Sequence, residues 1–232
     1  MKLNADFSTR ARVHAGRIDW VPSPMPGVAR KMLDRIGDEV ARATSIVRYD
    51  PGSRFSPHTH DGGEEFLVLD GVFEDEHGAY PAGTYVRNPP GSRHRPGAAD
   101  GCTIFVKLWQ FDPDDRRRHV VDTGALDLEP LAGRPGVAGR VIHEDARECV
   151  RIERWAPGAR VEMTAQGGVE TLCLEGGFDE GGERFAPASW LRLPAGAMLS
   201  AVAGAQGCRL WLKEGHLRLP ITAPVSEAGH GR

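Results

Sequence analysis

The chain has 232 residues, a formal net charge of −3 and 40% hydrophobic residues, enough for one large domain or two of ordinary size. The mild negative balance excludes an electrostatic footprint for nucleic acid or an anionic membrane surface. No run is apolar long enough to span a bilayer, and the opening MKLNADFSTRARVH lacks the apolar core of a signal peptide, so a cytoplasmic chain without a membrane partner is expected.

Along the chain, short apolar runs stop at glycine or proline, the pattern of an all-β protein. ARKMLDRIGDEVARA (29–43) has helical propensity. A later counterpart, AGRVIHED, carries an internal glycine and β-branched residues, so both are expected to be strand pairs, the first turning at Gly37-Asp38. EEFLVLDGVFED, GTYVRNPPG and TIFVKLWQF have strand length and strand composition. DPDDRRRH reads as a solvated, self-neutralising connector, and the tail TAPVSEAGHGR is expected to fray. Cys102, Cys149, Cys173 and Cys208 lack Cys-x-x-Cys spacing and are expected to be buried reduced thiols.

Five blocks recur in the same order. PGVARKML returns as PGVAGRVI, YDPGSRFSPHTH as WAPGARVEMTAQ, GGEEFLVLDGVFED as GGVETLCLEGGFDE, GTYVRNPPGSRH as ASWLRLPAGAML, and GCTIFVKLW as GCRLWLKEG. Two similar β-domains are expected, residues 1–112 and 113–232, packed as an internal pseudo-dimer in a monomer or further paired as a homodimer.

The first copy carries candidate metal ligands. His58 and His60 point the same way in a strand, Asp61-Gly62-Gly63 turns, and Glu64 opens the next strand. His94, after a Pro-Gly turn, supplies a fourth donor. Three imidazoles and a carboxylate suit one divalent transition metal: Fe, Zn or Mn ahead of Ni or Cu. Aligned block by block, the second copy has Thr164, Gln166, Val169 and Leu199 at these places and is expected to be metal-free. Glu65 persists as Glu170, which argues for a structural or surface role rather than a catalytic one. No catalytic residue is assigned, and His14, His77, His119, His143, His216 and His230 have no ligand-like spacing and are treated as ordinary surface or loop residues.

Gly52-x5-His58-x-His60-x3-Glu64-x6-Gly71 resembles the first cupin motif, and Gly83-x5-Pro89-Pro90-Gly91-x2-His94 the second, with Ala98 where the family usually has Asn. The resemblance implies two tandem double-stranded β-helix barrels, a bicupin, with His58, His60, Glu64 and His94 holding one metal. Residues 20–109 are similar more narrowly to the cupin half of ChrR-type anti-sigma factors. Only a short segment precedes the first repeat and no Cys-x-x-Cys is present, so a sigma-factor partner is not expected. Relatives of that group imply two functions. One is a metal-dependent, dioxygenase-like enzyme acting on a small ketone or diketone. The other is a ChrR-like metal-binding sensor of oxidative or small-molecule stress.

Overall fold

Strand alternation sets the architecture. In strand Glu64–Asp75 the pattern places Glu64, Phe66 and Val68 on one face and Glu65 and Leu67 on the other. Phe66 lies opposite Val106 and Val86, and these pack with Val47, Val68, Phe73 and Ile104 in one buried cluster. The computed structural model describes residues 1–38, 40–218, 221 and 224. His230 and the tail, apart from Pro224, lie outside the described residues.

Two antiparallel sheets repeat one strand order. The first runs through Val28–Gly37, Ala41–Tyr49, Cys102–Leu108, Glu64–Asp75, Thr84–Asn88 and His119–Asp122. The second runs through Val137–Glu144, Cys149–Trp155, Ala197–Glu214, Val169–Glu180, Ser189–Leu193 and Ala11–His14. The helix-like 29–43 segment is indeed a strand pair, with Gly37 opposite Ala41. Each fold is an all-β double-stranded barrel.

The expected boundary between residues 112 and 113 is not where the units part. Met1–Ala5 and Asp19–Gly124 belong to the first unit, and Asp6–Ile18 with Ala125–Ile221 to the second. The reason is strand pairing at the sheet edges. Ala11 lies opposite Arg192 in the second sheet, and His119 lies opposite Arg87 in the first. Each repeat's leading strand thus completes the other repeat's sheet.

In the first unit, among the described residues, strand Ser92–His94 pairs with His58–His60 alone, Pro96 and the short strand Gly97–Ala98 follow, and Cys102–Leu108 is a separate strand. Proline has no N–H to donate to a ladder. The second copy has no proline there and runs as one strand, Ala197–Glu214. Gly71 and Gly176 mark another shared device. Both have positive φ, and a Cβ would sit 2.2 Å and 2.1 Å from the carbonyl oxygens of Gly101 and Gly207.

The second core centres on Phe178 and Phe185, fully buried and stacked with centroids 4.8 Å apart. All four cysteines are free, Cys149 less buried than the others. Burial pushes the Cys102, Cys173 and Cys208 thiols up to about 12. Phe178→Ala should cost about 3–5 kcal/mol, from lost apolar transfer plus the cavity left behind, as read by urea unfolding. A loss below about 1 kcal/mol would contradict this account of the core.

Candidate metal centre

His58–His60 and Ser92–His94 form a two-stranded ladder in which His94 lies opposite His58 and Ser92 opposite His60. The turn Asp61-Gly62-Gly63, closed by the Gly63 N–H on the His60 carbonyl, returns the chain so that Glu64 starts the next strand. His60 Nε2 and His94 Nε2 stand 2.9 Å apart, and Glu64 Oε2 lies 3.5 Å from the first and 3.7 Å from the second. One donor nitrogen from each of His58, His60 and His94 falls within 4.8 Å of the others. Structure therefore brings all four sequence-predicted residues together.

The ring contacts select the nitrogens. The His58 Nδ1–H donates to the Ser56 carbonyl at 3.2 Å, and the His94 Nδ1–H to Asp75 Oδ2 at 3.2 Å, leaving both Nε2 lone pairs free. Glu64 Oε2 accepts from Asn88 Nδ2 at 3.0 Å, and Asn88 lies directly opposite Glu64 in the sheet. Burial pulls the His60 pKa down, with His94 and His58 adding to the fall against the opposing Glu64 charge. Burial also acts downward on His94, but the Asp75 hydrogen bond and the Glu64 charge outweigh it and raise the value. Bonds of about 2.1 Å to a shared ion place adjacent donors about 3.0–3.5 Å apart, so this donor set fits a divalent transition metal. Nitrogen lone pairs at contact distance need a cation or a proton between them.

The second copy shows what that position becomes without donors. Its register corrects the block alignment by one residue. Met163 lies opposite Leu199 as His58 lies opposite His94, and Ala165 opposite Ala197 as His60 lies opposite Ser92. The Gly168 N–H also bonds Ala165 as the Gly63 N–H bonds His60. The counterparts are therefore Met163 and Ala165, not Thr164 and Gln166; Val169 and Leu199 stand as aligned. Tyr49 to His58 spans one residue more than Trp155 to Met163, which hid the shift. Ala165, Val169 and Leu199 are buried in the apolar core, with Met163 packed against it.

Residues 8–112 match the ChrR cupin-like domain family, and the fold repeats the same barrel twice. The chain has the cupin fold, and the family match lies in its first repeat. No curated protein matches it. Among solved structures, it is similar to a candidate dioxygenase from Nostoc punctiforme, with a TM-score of 0.73, 14% identity, and coverage of 96% of this chain and 88% of that one. The Escherichia coli protein Ylba aligns at a TM-score of 0.68 and 15% identity, covering 93% of this chain and 95% of its own. The bacterial pirin YhhW from E. coli, crystallised with nickel(II), aligns at 0.64 and 12% identity, covering 89% and 98%.

Of the other residues, Glu65 keeps the structural role read for it, and His216, His143 and the connector depart from their sequence reading. Glu65 is buried and accepts from Tyr85 Oη at 2.6 Å and Arg87 Nη1 at 3.0 Å, a structural role. Its counterpart Glu170 accepts from Trp190 Nε1 at 2.7 Å and lies 3.1 Å from His216 Nε2, so His216 is a core partner rather than a surface residue. His143 is buried too, grouped with Asp145 and Glu148 in donor atoms within 4.8 Å of one another. There Glu148 is already held by Lys213 Nζ at 3.0 Å, and Asp145 by the Arg147 and Glu148 N–H groups. The connector is also not merely solvated: Asp115 is buried against Arg87, and Arg118 donates to Tyr80. Sequence reasoning missed Asp75 and Asn88, although Asn88 shares Glu64's position across the ladder.

Among the described residues no helix is long and apolar enough to cross a membrane. Leu199→His would put one imidazole into the apolar packing without companions. It should destabilise the protein by about 2–4 kcal/mol and create no metal uptake, checked by urea unfolding and elemental analysis.

Proposed function

We propose that the first barrel is a mononuclear metal centre, held by His58, His60, Glu64 and His94, of a dioxygenase-like enzyme acting on a small ketone or diketone. The observation that carries this reading is the convergence of four donors in one copy where the other has a packed apolar core. The description of the Nostoc relative as a candidate dioxygenase supports the reaction class. A bound divalent metal would supply Lewis acidity toward the substrate's oxygens and, if redox-active, access to O₂ chemistry.

The chain's own residues prepare that site. Asn88 holds one Glu64 oxygen and so fixes the carboxylate's orientation. Ser56 and Asp75 occupy the Nδ1 positions of His58 and His94, keeping Nε2 available at each. Phe73 stands 5.9 Å from the His94 ring and 4.7 Å from Phe66, which puts the apolar core directly beside that donor.

The match of residues 8–112 to the ChrR cupin-like family favours a second reading, a metal-holding module that senses a reactive small molecule. The two separate on turnover. Protein loaded with Fe(II), Mn(II), Ni(II) or Cu(II) should consume O₂ with some member of a diketone and hydroxyketone panel. Zinc as purified, with no turnover under any loading, would favour the sensor. In either case His58→Ala and His94→Ala should each fall from about one metal equivalent to near none by elemental analysis, because three remaining donors no longer enclose the ion. Full stoichiometry in both variants would exclude this ligand set.

A further inference from the structure

Behind His94 lies a chain of polar contacts that the four-donor account does not use. Asp75 Oδ2 accepts from His94 Nδ1–H at 3.2 Å. Asp75 Oδ1 accepts from the Tyr80 hydroxyl at 3.1 Å and the His77 N–H at 2.8 Å. The Tyr80 oxygen in turn accepts from Arg118 Nη2 at 2.5 Å, and the same guanidinium lies 5.9 Å from the Tyr80 ring centroid. The Asp75 side chain is only 2% exposed. Burial works against its ionisation, but the bonds from His94, the His77 N–H and Tyr80 hold its carboxyl below the usual range. Arg118 immediately precedes the edge strand His119–Asp122, in the segment that joins the two repeats.

The second copy provides an internal control. Register makes Arg10 the counterpart of Arg118, since Ala11 opposes Arg192 as His119 opposes Arg87. Glu180 and Phe185 stand where Asp75 and Tyr80 stand in the first copy, by the matching blocks of the repeat. Arg10 lies 5.9 Å from the Phe185 ring centroid, the same separation as in the first copy. There, however, no hydroxyl intervenes. The longer Glu180 carboxylate bonds Arg10 directly, at 2.7 Å to Nη2 and 3.2 Å to Nε. The residue in the His94 position is Leu199, which asks for no acceptor. Both barrels therefore keep an arginine over an aromatic ring beside a buried carboxylate. Only the first shortens the acid and adds a phenol, and only there does the acid face a histidine.

We infer that Asp75 is a positioning residue for the metal centre, fixing the His94 tautomer and ring angle, and that Tyr80 and the inter-repeat Arg118 hold Asp75 in that task. The carboxylate keeps the proton on Nδ1 and so presents the Nε2 lone pair to the ion. Tyr80 takes up the Arg118 guanidinium, so that Asp75 turns to His94 instead of pairing with the arginine as Glu180 does. The first site thereby depends on a segment outside its own barrel motif. Local sequence supplies the ligand; the connector sets its orientation.

The inference rests on the metal reading above, and its test separates the two. Zn(II) affinity of the full chain is measured by competition with a chromophoric chelator, together with the melting temperature of the metal-free protein. Asp75→Ala should weaken Zn(II) binding about 10–100-fold, the usual range for loss of a group supporting a ligand. The double variant Asp75→Glu with Tyr80→Phe installs the second copy's pair and should weaken binding comparably while the metal-free melting temperature holds. Tyr80→Phe and Arg118→Ala should each weaken it less than Asp75→Ala. Nitrogen-15 spectra of the metal-free protein at mildly alkaline pH should show His94 as the Nδ1–H tautomer in the wild type and as a mixture in Asp75→Ala. Wild-type affinity in both Asp75→Ala and the double variant overturns the inference, as does a loss matched by unfolding of the metal-free protein. Wild-type protein that takes up no Zn(II) overturns the metal reading itself.

Discussion

A barrel interior shielded from water requires every inward-pointing polar atom to find a partner inside. The two halves of this chain satisfy that constraint in opposite ways. In the second, Ala165, Val169 and Leu199 turn inward and dispersion fills the space. In the first, the same positions carry two imidazoles and a carboxylate beside a third imidazole, and apolar packing cannot satisfy them. Their own hydrogen bonds go outward, to Ser56, Asp75 and Asn88, which leaves the inward lone pairs for a cation. The strand period of two makes this possible, because ligands spaced by two residues share a face without bending the backbone.

The same constraint reaches the sheet edges. An unpaired edge leaves a row of backbone groups open, and each unit closes one edge with the leading strand of the other repeat. Each such strand is preceded by an arginine, which lies over an aromatic residue and bonds a carboxylate or phenol of the barrel the strand completes. The exchange therefore does more than satisfy backbone groups. It sets a guanidinium on the phenol that bonds the carboxylate behind the donor cluster in one unit, and on the carboxylate itself in the other.

Much of this was legible in the chain. Turn glycines, alternating apolar runs and the five recurring blocks were enough for two β-barrels, and the spacing of His58, His60, Glu64 and His94 was enough to expect them together. The misreadings share one physical cause: sequence order does not state which strand lies beside which. The one-residue difference between Tyr49–His58 and Trp155–Met163 is invisible in a block anchored on Pro51-Gly52 and Pro157-Gly158, but obvious from the ladder with Leu199. His216 looked like a loop residue because its partner Glu170 is distant in sequence. The boundary at 112/113 followed the repeat, whereas the units follow strand exchange.

Duplication turns those differences into an experiment the chain has already run. What both copies retain is architecture: Gly71 and Gly176 against a facing carbonyl, Glu65 and Glu170 buried under an aromatic donor, and Arg118 and Arg10 over a ring. What only the first copy has separates into donors and the groups that orient them. Asn88 becomes Leu193 and His94 becomes Leu199, while Asp75 and Tyr80 become Glu180 and Phe185. The first two substitutions remove polarity. The last two keep a carboxylate and a ring and change only where the carboxylate points, so they mark the level at which the fold ends and the site begins.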